Sequence, residues 1–118
     1  MSSTIHIKPL SVNAAWQGRR YKTDTYKGYE RAMLLLLPRR KIPEGKLKLI
    51  VDVGLSSKAA DVDNILKPFV DILQKKYKFN DKHIYKILIE KTDVKKGYEY
   101  ITWDLVSLEN DLNLTEAK

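Results

Sequence analysis

The sequence predicts one small α/β (α+β) domain, a mixed β-sheet covered by two main helices. Its 118 residues leave room for a single core, because two cores would each fall below the size that usually folds unaided. Apolar residues recur at helical spacing in two stretches and at strand spacing in the others, in the order strand, helix, strand, helix, strand, strand. A content of 43% hydrophobic and 31% charged residues is that of an ordinary globular domain rather than a disordered chain.

Residues 3–10 alternate, with Ile5 and Ile7 on one face, and read as a first strand ending at or just after Pro9. Over residues 23–37, Tyr26, Tyr29, Met33, Leu36 and Leu37 form an amphipathic helical stripe that Pro38 stops. Residues 46–55 are a half-buried strand, in which Leu47, Leu49, Val51 and Val53 alternate with Lys46, Lys48 and Asp52. Residues 63–76 carry Ile65, Leu66, Phe69, Val70 and Leu73 at helical spacing, with Asp63 or Asn64 as the N-cap. Pro68 is tolerated in an opening turn but costs about 3 kcal/mol in a helix interior, so this helix is expected to start late. Residues 84–89 and 98–106 are rich in β-branched and aromatic side chains. Lys95, Lys96 and Gly97 between them look like a hairpin turn, so the two strands are expected to pair antiparallel. Residues 109–118 are polar apart from Leu112 and Leu114 and read as a flexible tail to a domain spanning residues 1–108.

Lys and Arg number 22 against 15 Asp and Glu, a balance of +7 that favours a polyanionic partner such as nucleic acid. Four of those acids and only one lysine fall from Asp104 onward, so the body of the domain is more basic than the total suggests. The absence of cysteine excludes a disulfide scaffold and a thiolate zinc site, and two histidines cannot build a zinc centre without carboxylate help. Any metal is therefore expected on oxygen ligands. The longest apolar run, residues 32–37, is far short of a membrane span, and the N-terminus lacks the apolar core of a signal peptide. The expected location is the cytoplasm, with no membrane partner.

Chemistry concentrates in residues 61–67. If the approach to the second helix is extended, Asp61 and Asp63 project to one face while Val62 turns inward. Lys67 lies one helical turn beyond Asp63, and Asp81, before the strand that starts at Ile84, can add a third carboxylate if that strand lies beside the one ending near Leu55. Carboxylates packed together repel unless a cation neutralises them, and a hard divalent ion such as magnesium suits oxygen ligands. The alternative at this point is structural: Asp61 and Asp63 cap a helix, Asp81 is a turn residue, and Lys67 pairs with Asp63 or Asp71 on the helix surface.

The run Asp61-Val62-Asp63-Asn64 with Lys67, then Asp71-Ile72-Leu73, then Asn80-Asp81-Lys82-His83-Ile84 and the strand ending Ile89-Glu90-Lys91, resembles the RusA family of Holliday-junction resolvases. Asn13, Trp16, Arg19, Arg20 and Lys22 fit the same likeness, which covers most of the chain. The resemblance implies a homodimeric, magnesium-dependent endonuclease, with manganese as a substitute ion, that cuts four-way junction DNA by paired incisions in recombination and repair. It implies that Asp61, Asp63 and Asp81 bind the metal and that Lys67 is the essential lysine, all four being catalytic. Two departures bear on metal preference: Asn80-Asp81 stands where the family often has paired acids, and His83 where it often has glutamine.

Hydrolysis of a phosphodiester builds negative charge on the phosphate oxygens, which one or two metal ions and a fixed lysine can offset. Holding the DNA needs a wider surface. Candidates for it are Arg19, Arg20, Lys22 and Lys27, then Arg39, Arg40 and Lys41, then Lys58, and lastly Lys75, Lys76, Lys78 and Lys82. Trp16, Tyr21 and Tyr26 can stack on an unpaired base at a branch point, although such aromatics more often belong to a core. A nuclease of broader branched-DNA specificity and a non-catalytic DNA-binding module remain the alternative readings.

Overall fold

A computed structural model describes residues 2–11, 16–17 and 21–109. Strand β1 (Ser3–Ile5) is followed by a short pair, β2 (Trp16–Gln17) and β3 (Tyr21–Lys22), then helix α1 (Asp24–Leu36) and strand β4 (Leu47–Leu55). Helix α2 (Val62–Tyr77), a 3-10 turn (Asp81–His83), β5 (Ile84–Asp93) and β6 (Tyr100–Ser107) complete the order. The main sheet has four strands in the order β1-β6-β4-β5, with β4 and β5 parallel and the other neighbours antiparallel. The result is a small α+β domain with a mixed sheet, as expected.

Both helices pack on one face of that sheet. Leu47, Leu49, Val51 and Val53 from β4 and Ile101, Trp103 and Leu105 from β6 meet Tyr26, Tyr29 and Met33 of α1 and Ile65, Phe69, Ile72 and Leu73 of α2 in a single buried cluster. Thr23 caps α1, its Oγ1 accepting from the Tyr26 N–H at 3.1 Å, and Leu37 turns extended in front of Pro38, as a residue preceding proline must.

Three expectations are corrected. The first strand ends at Ile5, because the Ile7 N–H turns back to the Ile5 carbonyl at 3.1 Å and bends the chain at His6. Strands β5 and β6 do not pair. Instead β4 lies between them, and the connection, with Gly97 at φ 95°, crosses the end of β4, where the Val94 N–H donates to the Leu55 carbonyl. β4 takes the centre, pairing with β5 along one edge and β6 along the other, and its inner residues are buried along the whole strand. Helix α2 does not start late: it begins at Val62, with Asp61 as N-cap and Pro68 in its interior. Only the bond to the Asn64 carbonyl is forfeited, and the proline ring is itself buried. Ile65, Phe69, Ile72 and Leu73, at about 1.5–3 kcal/mol each, outweigh the roughly 3 kcal/mol penalty.

Gly54 is required by a close approach. A Cβ there would meet the Tyr100 ring at 2.3 Å, and that ring crosses β4 to place its hydroxyl on Asp52 Oδ2 at 2.9 Å. Thr92 Oγ1 donates to Asp52 Oδ1 at 3.0 Å, so the Asp52 carboxylate ties β4 to both its neighbours.

Candidate active site

The β4–α2–β5 crossover lays α2 alongside β5, and the predicted chemistry falls in the seam between them. A cavity of about 230 Å³ there is lined by Asp63, Leu66, Lys67 and Val70 from α2 and by Asp81, Ile84 and Ile87 from the turn and β5. Asp63, Lys67 and Asp81 thus share one groove with an apolar floor. Asp61 lines the adjoining groove with Ala59, Ala60, Val62, Ile89 and Lys91.

Local structure explains this division. As N-cap, Asp61 uses Oδ1 to accept the Asp63 N–H at 3.0 Å, while Asp63 sits in the first helical turn. The i and i+2 side chains therefore do not share an extended face, which is the consequence of the early helix start. Asp81 is held from behind: its N–H donates to Gln74 Oε1 at 2.8 Å, and Asn80 caps the 3-10 turn through the Lys82 N–H at 2.9 Å. Gln74 lies eleven residues beyond Asp63, roughly 16 Å of helix, so Asp63 and Asp81 stand at different points along the groove.

Lys67 Nζ donates to Asp71 Oδ1 at 3.3 Å, an i,i+4 pair in which the lysine side chain is 62% exposed. An exposed pair of this kind is worth well under 1 kcal/mol and leaves the ammonium able to reach a phosphate. Of the two partners expected for Lys67 on the helix, the structure selects Asp71.

For a divalent ion the donor set has the right chemistry, all hard oxygen, and neither the Asp63 nor the Asp81 carboxylate has a side-chain partner among the described residues. Among those residues, however, no three His, Cys, Asp or Glu side chains stand close enough to hold one ion. The arrangement suits magnesium bound by one or two carboxylates with waters and substrate phosphate, and does not form an all-protein cage.

Two residues were not singled out from the sequence. Lys91 donates from Nζ to the carbonyls of Lys58 (3.0 Å) and Ala60 (3.1 Å), holding the loop that delivers Asp61. Gln74 sets the Asp81 turn against α2. Lys91 closes the strand pattern that carries the family resemblance, while nothing local marks Gln74.

The basic candidates separate into anchors and groove-lining charges. Arg40 is structural: Nη2 binds Asp104 Oδ1 and, at 3.3 Å, the Leu105 carbonyl just past the last β1 pair, and its guanidinium lies 4.8 Å over the Trp103 ring. Its burial holds its pKa below the ordinary arginine value. Lys75 pairs with Glu30 at 2.9 Å and Lys76 Nζ donates to the Leu34 carbonyl at 3.0 Å, so both fasten α2 to α1. Lys41, Lys78 and Lys82 line a second, open groove together with His83 and Asn80. The 3-10 turn is a shared wall: Asp81 faces the first groove, whereas Lys82 and His83 face this one. Lys58 is exposed in the loop before Asp61. The backbones of Trp16 and Lys22 pair in the β2–β3 ladder, and Asn13, Arg19 and Arg20 lie outside the described residues.

The family profile of endodeoxyribonuclease RusA matches residues 8–101. The chain belongs to the RusA family. The matched span contains Asp61, Asp63, Lys67, Asp81 and Lys91, so both seam grooves lie within it. Membership makes this protein a nuclease, a hydrolase of DNA phosphodiester bonds. A search of curated proteins finds no match to the chain. No helix among the described residues of this RusA-family protein is long and apolar enough to cross a membrane.

Proposed function

We propose that this RusA-family chain is a magnesium-dependent, structure-selective endonuclease that resolves four-way DNA junctions in recombination and repair, as a homodimer in the cytoplasm. The observation that carries the reading is the shared groove of Asp63, Lys67 and Asp81 inside the matched family span. Asp61, Asp63 and Asp81 are the residues that would hold magnesium, no more than two of them on any one ion, with manganese able to replace it. Bound there, the ion would supply positive charge at the phosphate and would lower the pKa of water.

The chain's own groups do the rest. Lys67 leaves Asp71 to place its ammonium against the non-bridging oxygens, where charge builds in the transition state. Leu66, Val70, Ile84 and Ile87 exclude bulk water from one side of the groove, which strengthens that attraction. Lys41, Lys78 and Lys82 line a path for a phosphate backbone beside the Asp81 turn, and Lys58, Arg19, Arg20, Lys22, Asn13 and Trp16 are proposed as further DNA contacts. Two symmetric incisions require two sites, which is the reason for a two-fold dimer.

The test is a magnesium titration with a labelled four-way junction, compared with linear duplex and flap DNA. Paired cleavage of the junction that stops in chelator is expected. Equal cutting of flaps would replace the reading with a broader branched-DNA nuclease. Binding with no cutting at any magnesium or manganese concentration would leave a DNA-binding module.

A further inference from the structure

We propose that the outer edge of β5 pairs antiparallel with the same edge of a second copy, about a two-fold axis through Leu88. This rests on the homodimer reading above and names the surface that would form it.

β5 is the last strand of the sheet, and among the described residues no strand pairs with its outer edge. Such an edge is a row of backbone donors and acceptors open to another strand. It also carries apolar surface: Leu88 is 47% and Ile87 42% exposed, and Ile50, opposite Leu88 on β4, is 38% exposed.

The register follows from geometry and charge. Along a strand, alternate residues turn both backbone groups to the same edge, so antiparallel self-pairing must place a residue on the axis and not a peptide bond. The ladder with β4 shifts between Leu47 and Lys48, passing over Tyr85, so the regular edge begins at Lys86. With Leu88 on the axis, Lys86 stands opposite Glu90 of the second copy, Ile87 opposite its Ile89, and Leu88 opposite itself. Centring on Ile89 instead sets Leu88 against Glu90 and Ile87 against Lys91, and centring on Glu90 sets Ile87 against Asp93. Only the Leu88 register matches opposite charges and apolar pairs together. An in-register parallel copy would set Lys86 against Lys86, so the pattern favours a closed pair over an open array.

The axis runs perpendicular to the sheet, which keeps both helical layers on the same face of the joined sheet. The seam grooves of the two copies then lie on one side of the dimer, flanking the axis.

The chain has no cysteine, which allows a clean cross-linking test. Residues directly opposed in an antiparallel pair have Cα atoms about 4.5–5.5 Å apart, inside the range a disulfide bridges. Under mild oxidation, Leu88→Cys is expected to form a covalent dimer. Lys86→Cys alone stays monomeric on a non-reducing gel, while an equal mixture of Lys86→Cys with Glu90→Cys gives a mixed disulfide. Lys86→Glu weakens self-association at least tenfold by light scattering, and adding Glu90→Lys to the same chain restores it. Junction cleavage by reduced, unmodified protein is measured in parallel. Cleavage by a dimer that does not cross-link at residue 88 overturns the interface and keeps the nuclease reading. Cross-linking without cleavage overturns the nuclease reading and keeps the interface. Protein that is monomeric with and without junction DNA, or Lys86→Cys cross-linking as fast as Leu88→Cys, overturns the interface.

Discussion

The Lys91 ammonium donates to the Ala60 carbonyl at 3.1 Å, so the far end of β5 holds the residue immediately before Asp61. A second bond, to the Lys58 carbonyl at 3.0 Å, fixes the same loop two residues earlier. The position of the Asp61 carboxylate is therefore set by a strand thirty residues away in sequence as well as by its own helix.

Lys91→Met is expected to lower single-turnover junction cleavage by about 100-fold, the scale of loss that misplacing a reacting group by about 1 Å produces. Stability should change by no more than about 1 kcal/mol, because both bonds it removes are exposed. Lys91→Arg, which retains donors for two carbonyls, should recover much of the rate. Equal losses in the Met and Arg variants, or a loss of cleavage that follows the melting temperature, would count against the positioning role.

Asp61→Asn separates charge from capping. Asparagine caps a helix about as well as aspartate, so the bond to the Asp63 N–H survives and stability should hold within a few tenths of a kcal/mol. Asp61→Ala removes the cap and should cost about 1 kcal/mol. Both variants should lose cleavage while keeping junction binding without metal. Asp63→Asn should behave as Asp61→Asn does, apart from the loss of up to about 1 kcal/mol from a first-turn negative charge. Normal cutting by Asp61→Asn and Asp63→Asn, read in a magnesium titration beside thermal melts, would leave these residues a structural role only.

How much of this is legible in the sequence depends on how local the cause is. The stripe of Tyr26, Tyr29 and Met33 announces α1, and the alternation of Leu47 to Val53 announces β4, because periodicity acts within a few residues. The acidic and basic residues of the seam are visible for the same reason: Asp61, Asp63 and Lys67 sit within seven positions. Strand order is not, because Gly97 marks a reversal without saying whether the returning strand lies next to β5 or beyond β4. Nor is the fate of Arg40, whose partner Asp104 is 64 residues away. The late start expected for α2 fails because the cost of Pro68 is local and visible, while the burial that offsets it is tertiary.

Arg40 should therefore behave as a structural residue. Its side chain and that of Asp104 are only 16% and 14% exposed, and removing one partner strands the other charge. Arg40→Ala is expected to cost about 3 kcal/mol in urea unfolding. Arg39→Ala, at an exposed neighbour, should cost less than about 0.5 kcal/mol. Equal effects of the two on stability would show that the Arg40–Asp104 pair does not hold β6.

The second groove predicts a salt signature. Lys41→Ala combined with Lys82→Ala should weaken junction binding across sequences and reduce the slope of log affinity against log salt by about 1 for each phosphate that is no longer neutralised. Single-turnover cleavage at saturating protein should change little. An unchanged slope would remove this groove from the DNA path.

Acid sensitivity should trace to Glu99. Ser56 Oγ donates to its Oε2 at 2.7 Å and the Gly97 N–H to its Oε1 at 2.9 Å, tying the β5–β6 connection to the end of β4. The Ser56 bond is the largest cause that holds its carboxyl below the ordinary value of 4.5, with the backbone bonds and Lys8 adding to it and burial opposing. A carboxyl whose pKa is lower folded than unfolded binds its proton more readily in the unfolded chain. Its stabilising contribution is thus complete above the ordinary value, and is lost as pH falls from 4.5 through the lower folded value. Glu99→Gln removes this dependence. Its melting temperature should be lower than that of the unmodified protein at pH 7, and the gap should close on acidification below about pH 4.5. A gap that stays constant down to about pH 3 would mean that ionisation of Glu99 contributes nothing to holding the connection.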